Sequence, residues 1–453
     1  MNENHITIGE ALAHGDGPTR LSSVLMGAGM LGHKQVAKGI IVLISEVAFL
    51  MYMALQGLHD LALFVTLGTE TYYKVWNEGL QVFEYLEGDN SQRILLSGVV
   101  CLFVIASFIA LWVMQLKHSY RLQRSIEQGQ DVPTLRQDMK SLLDGNFHIA
   151  LMAVPCLGIL IFNVVPLVYM ILMAFTTYSR EGGHLILFDW DGLNQFGRVL
   201  SMQGSIGRQF WQVLGWTISW AVLSTLTNFI LGMGLAMIIN RKDTKAKGFW
   251  RFCFVLSIAV PQFVTLMIAN IMLRPSGAVN VLLMNLGLID SPIPFWTNTA
   301  LARFMIVLIN IWVGVPYTML QVTGILQNIP PELFEAAKMD GAGPARIFRK
   351  ITLPYTLFVT APYLITSFVG NINNFNVIYL LSNGGPTKVG DTAGQTDLLV
   401  TWLYKLTIDQ QYYNLGAVIG IITFVVLSVI TLVTYRHSSS YQNEETFMRW
   451  ILS

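Results

Sequence analysis

The sequence predicts an all-α, polytopic membrane protein with about eight transmembrane helices, on three observations. Of 453 residues, 53% are hydrophobic and 12% charged, against about 25% charged in an ordinary soluble domain. Apolar runs long enough to cross about 30 Å of hydrocarbon as helices lie near 37–58, 94–116, 148–174, 211–239, 252–273, 301–326, 355–381 and 415–435. The stretch 61–67 is too short to add a ninth. Lysine and arginine are also unevenly shared between the two sides. With the N-terminus inside, 19 of the 28 fall on inner segments, from Arg20, Lys34 and Lys38 through the 327–353 loop to Arg436 and Arg449. The excess of positive charge on inner loops predicts that both termini are cytoplasmic.

Taken in order, residues 1–36 are polar and Gly-rich, with no charged-then-apolar cleavable pattern. They read as a cytoplasmic tail, and the first span as its own insertion signal. Residues 37–146 read as an accessory two-span hairpin followed by a basic, Gln-rich connector with Pro133, a solvated linker with some helix. Residues 147–437 form a six-span core, and 438–453 a second cytoplasmic tail. The outer loops 59–93, 175–210, 274–300 and 382–414 are too small for large independent domains. The segment Gly182 to Gly207, with Asp189, Trp190 and Asp191, suits either an external partner or an interfacial aromatic belt. Cys101, Cys156 and Cys253 fall inside spans, where a free thiol behaves as a small hydrophobe, so no structural disulfide is expected.

The most specific pattern lies in the polar loop 327–354. Pro330 and Pro331 start a short helix where a missing N–H costs nothing, and Glu332 and Glu335 suit its positive end. Ala336 and Ala337 give it a small-residue face. Gly341 and Gly343 stand where a left-handed C-terminal residue is wanted, and Pro344 stops the first helix and begins a second. Arg346, Arg349 and Lys350 follow, and Leu353-Pro354 opens the next span. An E-A-A tripeptide alone has no weight. The full pattern, Glu335-Ala336-Ala337, then Asp340-Gly341, then Ile351-Thr352-Leu353-Pro354, resembles the EAA loop of permease subunits in binding-protein-dependent ATP-binding-cassette importers. The resemblance extends over roughly Phe147 to Arg436. It implies a type I importer core whose loop docks on a separate ATPase through Glu335, Ala336, Ala337, Asp340 and Gly341.

Two spans carry polar residues that lipid would not tolerate. Asn310, Gly314 and Tyr317 share one helical stripe, and Asn371, Asn373, Asn374 and Asn376 surround Phe375 ahead of Tyr379. Such amides either bond neighbouring helices as structural glue or line a water-accessible cavity. Uncharged amides with aromatic rings suit a carbohydrate, whereas a phosphate, a metal or an amino acid calls for fixed charge. Asn310 to Tyr317, Asn371 to Phe375, Gly384-Gly385-Pro386 and Thr396-Asp397-Leu398-Leu399 look like the larger permease subunit of maltose and maltodextrin importers. In that family the residues matching Asn310, Gly314, Tyr317, Asn371 and Asn374 line the sugar site; Phe375 and Gln262 join them as candidates here. The match is poorer around Pro261, where the family has tyrosine and serine at the positions of Ile258 and Gln262. The large insert that some members carry after the third span is replaced by the short 175–210 loop.

Gly-Lys never occurs as a dipeptide, which excludes a Walker A loop, and no metal-ligand spacing or nucleic-acid patch is evident. The chain is therefore expected to be no enzyme and to bind no cofactor or metal itself, with ATP and magnesium held by the partner ATPase. The resemblance implies a second permease subunit, two ATPase subunits and an extracytoplasmic sugar-binding protein. The implied cargo is an oligosaccharide, malto-oligosaccharide ahead of galacto-oligosaccharide. A secondary transporter driven by an ion gradient would need intramembrane carboxylates. Glu46 is the one clear candidate, alone and in the accessory hairpin, so pairing or a polar face is the expected account of it. A membrane scaffold without transport would not explain an amide stripe and a docking loop on the same two helices.

Overall fold

A computed structural model describes residues 6–436 apart from 72, 87, 131 and 242, so the expected tail 438–453, with Arg449, lies outside the described residues. Among the described residues seven helices are long and apolar enough to cross a membrane, or eight if one bent pair counts as a span. The chain divides into two compact units after Gly192, downstream of the boundary expected near 146.

In the first unit the N-terminal segment is folded rather than a solvated tail. Three short helices, α1 (Ile8–His14), α2 (Gly17–Leu21) and α3 (Ala28–Gly32), each have a local reason to start or stop. Thr7 and Glu10 form a reciprocal capping box on α1, and the Asp16 carboxylate accepts from Thr19 N–H to cap α2. The first span, α4 (Val36–Thr66), outruns its expected length because a π turn at Met53–Gly57 carries the helix onward. The 61–67 stretch is thus the end of this helix and its exit. A two-stranded antiparallel hairpin, β1 (Tyr73–Asn77) and β2 (Val82–Leu86), follows, a small departure from an all-α chain.

The next helix, α5 (Ser91–Glu127), capped by Asn90, also outruns its expected span and removes much of the expected linker. Its last turns carry Gln115, Ser119 and Gln123 at helical spacing, all buried, and these receive α1 to α3. Gln115 Nε2 donates to the Ser22 carbonyl at 2.7 Å, and Asp16 N–H donates to Gln123 Oε1 at 2.9 Å. Glu46 on α4 is buried in the same cluster and accepts from Met26 N–H at 2.8 Å. The Glu46 carboxylate is therefore a structural acceptor. Burial pushes the Asp16 carboxyl up, but bonds from Thr19 and His33, the latter at 2.9 Å, hold it below its ordinary value. Beyond α5 the connector keeps only α6 (Leu135–Leu143), opened by a Thr134–Gln137 capping box, before the third span, α7 (Phe147–Met173).

The second unit opens with α8 (Asn194–Leu200) and is built on α9 (Ser205–Asn240) and α13 (Thr299–Gln327), its most extensive helix pair. The expected span 252–273 is not one rod. It breaks into α10 (Lys247–Ala259) and α11 (Gln262–Met272), bent by 85°. Val260 is extended ahead of Pro261, the conformation a following proline favours. Between α11 and α13 lies α12 (Ala278–Asn285). The expected 355–381 span is also redrawn. Its helix, α15 (Pro344–Ile372), starts eleven residues earlier. It is continuous through a π turn at Phe348–Thr352, just ahead of Pro354, and past Pro362 inside it. It then stops at Asn373, and a new helix, α16 (Phe375–Ser382), begins under an Asn374 cap. The last described helices are α17 (Leu399–Tyr404) and α18 (Tyr413–Arg436).

We expect Glu46→Leu, which strands the buried Met26 N–H, to lower the stability of the N-terminal segment by roughly 1–3 kcal/mol, while Glu46→Gln keeps an acceptor and most of the stability. Limited trypsin digestion at Arg20 and Lys34 reads the difference; equal protection of both variants and wild type would refute the assignment.

Candidate functional site: a polar layer between two apolar clusters

Along α9, buried residues change character twice. Trp216 and Trp220 belong to one apolar cluster with Leu266, Ile306, Val377, Ile378, Leu381 and Leu398. Phe229, Met233, Ala236 and Ile239 belong to a second, with Met319 and Val322 of α13. Between them, near the middle of α9, lie Ser224, Thr225 and Asn228. The facing residues of α13 are Asn310 and Gly314, and α15 contributes Asn371 near its end.

Helices α9 and α13 run parallel at close range, and the contact depends on glycine. A Cβ on Gly314 would stand 2.2 Å from Asn228 Nδ2, and one on Gly232 would stand 2.6 Å from Thr318 Cβ. The constant register of these two pairs brings Ser224 opposite Asn310. Asn371 Nδ2 donates to Thr225 Oγ1 at 3.0 Å, and Trp220 Nε1 donates to the Asn371 carbonyl at 3.0 Å. By contrast Ser224 Oγ, Asn228 Oδ1 and Asn310 Nδ2 are buried with no hydrogen-bond partner among the described residues. Unpartnered buried polar atoms cost about 1–3 kcal/mol each.

The other expected residues are less closely gathered. Asn310 and Asn371 are buried, but Tyr317, on the same stripe as Asn310, is 53% exposed. Asn374 spends its carbonyl oxygen on Val377 N–H at 3.3 Å, capping α16. Phe375 stacks on Tyr379, with centroids 4.8 Å apart, and meets Tyr404 edge-on at 5.1 Å. Gln262 is exposed at the first turn of α11, just past the bend. Asn373 and Asn376 are exposed, which divides the four-amide run into one buried member, one cap and two surface residues. The α9 residues escaped the reading, although Thr217, Ser224, Thr225 and Asn228 along one apolar span were a visible signal.

One end of this layer is covered by residues 383–398, part of the outer loop expected over 382–414. Gln209 Oε1 accepts from Thr392 N–H and Ala393 N–H at 2.8 Å each, and Trp216 Nε1 donates to the Thr396 carbonyl at 3.1 Å. Arg303 donates to the Gln395 carbonyl at 2.7 Å while its guanidinium lies 4.2 Å from the Trp216 ring centroid. Asp397, fully buried, accepts from Gly394 N–H at 2.6 Å, Thr401 Oγ1 at 2.8 Å and Lys405 Nζ at 2.7 Å. Burial raises its carboxyl above the ordinary aspartate value, and the Lys405 ammonium works against that rise.

At the other end of α13 the 327–354 loop takes the expected helix–turn–helix form, except that its second helix runs on into the next span as part of α15. Its helix, α14 (Pro331–Met339), ends with Gly341 at φ +72°. Gly341 N–H donates to the Lys338 carbonyl at 3.0 Å and Ala342 N–H to the Ala337 carbonyl at 2.9 Å, the paired bonds of a Schellman turn. Glu335, Ala336, Asp340 and Gly341 are exposed and Ala337 is half-buried.

The α9–α13 contact yields its own test. Gly314→Ala should destabilise the protein by about 1–3 kcal/mol through overpacking, and Asn228→Ala in the same chain should recover most of that, since it vacates the space. Thermal melts of the four members of this double-mutant cycle give the coupling; additive losses would contradict the close approach.

Residues 228–440 match the family described as binding-protein-dependent transport system inner membrane component. The chain is 33% identical over 434 residues to the galactooligosaccharides transport system permease protein of Bacillus subtilis (strain 168), covering 94% of this chain and 98% of that protein. It is likewise 33% identical to the maltodextrin transport system permease protein of the same organism, over 98% of this chain and all of that protein. In fold it is similar to a chain of a bacterial ABC transporter involved in the import of the acidic polysaccharide alginate, with a TM-score of 0.53 and 24% identity over 66% of this chain and 97% of that one. The membrane helices, the polar layer and these relatives agree, and the chain belongs to the permease subunits of binding-protein-dependent ABC importers of oligosaccharides.

Proposed function

We propose that this permease carries an uncharged oligosaccharide, malto-oligosaccharide first and galacto-oligosaccharide second, through the polar layer of α9, α13 and α15. The observation that carries the reading is the set of unpartnered atoms Ser224 Oγ, Asn228 Oδ1 and Asn310 Nδ2, buried between two apolar clusters. Donors and acceptors of this kind match sugar hydroxyls, and the exposed Tyr317 ring offers an apolar sugar face a surface to stack on. Amides and hydroxyls suit a neutral sugar better than an acidic polysaccharide, which would call for paired cationic side chains. Equal similarity to galactooligosaccharide and maltodextrin permeases supports both sugars; the Asn310 to Tyr317 and Asn371 to Phe375 patterns put the second relative's class first.

In this proposal both termini are cytoplasmic, the chain pairs with a second permease, and each permease sets its EAA loop on one of two ATPase subunits. An extracytoplasmic binding protein delivers the sugar. Closure of the ATPase dimer on ATP would move α14 as a rigid body and rock α13 and α15, which carry Asn310 and Asn371, switching access from inside to outside. Hydrolysis would restore the inward-facing state. Glu335, Ala336, Ala337 and Asp340 serve docking and Gly341 serves the turn.

Uptake of a labelled oligosaccharide panel into proteoliposomes holding the complete transporter tests the site. Asn310→Ala, Asn371→Ala and Tyr317→Ala should each lower uptake of the preferred sugar about tenfold or more, the scale of one lost buried hydrogen bond or stacking contact. Uptake that persists without ATP and collapses with the proton gradient would overturn the reading. Gly341→Val, which forces a β-branched residue to positive φ, should leave membrane insertion intact and abolish sugar uptake while the ATPase still turns over. Full uptake by this variant would sink the coupling role of the turn.

A further inference from the structure

Where the N-terminal helices meet the first two spans, a cavity of about 420 Å³ opens between α3, α4 and α5. One side is apolar, formed by Met30, Val42, Leu111 and Met114. Along α5 the lining then changes to Lys117 and Arg121, one turn apart and on the same face. The carboxylates on the neighbouring turns are already engaged. Glu46, one turn from Val42, accepts from Met26 N–H, and Asp138 of α6 pairs with Lys38, one turn to the other side. His118, also in the lining, bonds Gln35 Oε1 at 3.0 Å. Lys117 and Arg121 thus face the cavity without an acidic partner among the described residues.

The walls are held in place by buried hydrogen bonds. Gln115, 2% exposed and part of the lining, donates to the Ser22 carbonyl at 2.7 Å and accepts from Gly27 N–H at 3.4 Å. An apolar trough that ends in two cations, at the point where α5 passes from its apolar stretch to its polar turns, matches an amphiphile with an apolar chain and an anionic head. A soluble anion would leave the trough empty, and a neutral lipid would leave Lys117 and Arg121 unmatched. We infer that this cavity is a binding site for one anionic phospholipid, its acyl chain along Met30, Val42, Leu111 and Met114 and its phosphate at Lys117 and Arg121. The ligand would tie the N-terminal helices to the first two spans, and basic residues beside a span are the usual readers of such headgroups.

The test is native mass spectrometry of the assembled transporter, exchanged into mixed phosphatidylglycerol and phosphatidylcholine nanodiscs and then released. Wild type should retain phosphatidylglycerol at least fivefold over phosphatidylcholine, and the double variant Lys117→Gln/Arg121→Gln should lose that preference. Arg136→Gln, the same kind of charge loss on α6 and outside the lining, should keep it. Equal retention of the two lipids by wild type would overturn the proposal without recourse to any variant. So would a preference that survives in the double variant, or one that Arg136→Gln removes as fully. Displacement of the lipid by millimolar inorganic phosphate would reassign the cations to a soluble anion and would also overturn it.

Discussion

The close parallel packing of α9 on α13 is the constraint from which the second unit follows. Without side chains at Gly232 and Gly314 the two backbones approach, and that approach encloses Asn228, Ser224 and Asn310 where helices of ordinary bulk would leave a wider gap. The apolar clusters on either side are then obliged to seal a polar layer they cannot satisfy. In a membrane, where lipid gives helices no hydrophobic reason to associate, small residues at the contact are the usual route to such proximity. Here proximity also sets the chemistry of the proposed sugar path, because the polar atoms it traps lack partners among the described residues.

How much of this was legible depended on how local the cause was. The Glu335 to Pro354 loop could be read almost completely, since Pro331, Gly341 and Pro344 act through their own backbone angles and need no distant partner. The stripe Asn310, Gly314 and Tyr317 was visible as periodicity, and the buried positions of Asn310 and Asn371 agree with it. Its other half on α9 was not seen, because Ser224 and Asn228 look like ordinary polar residues in a long span until Gly314 is placed against them. The run Asn371 to Asn376 misled for the converse reason. Four amides were expected not all to face lipid, whereas Asn373 and Asn376 are exposed and Asn374 spends its side chain capping a new helix.

The N-terminal thirty residues were the least legible. Their apolar positions are spread over helices of five to seven residues, too short for periodicity to show, and their partners Gln115, Ser119 and Gln123 lie 88 to 109 residues away. Glu46 illustrates the consequence. Pairing or a polar face was the expected account of it, but which group it would meet became visible only when Met26 N–H was brought to it. The bend at Pro261 belongs to the same class, because hydropathy averages across a break that backbone geometry makes abrupt.

The unbroken helix Pro344–Ile372 has a mechanical consequence. At 1.5 Å per residue, the distance from Pro344 to Asn371 is about 40 Å, and the segment stays one helix through the π turn near its base and past Pro354 and Pro362. The helix is therefore a lever with its short end beside the Schellman turn and its long end at the polar layer. Tilting such a lever by about 5° sweeps the far end through roughly 3.5 Å, about one hydrogen-bond length. An angular displacement too small to repack the base is enough to make or break the bond between Asn371 and Thr225.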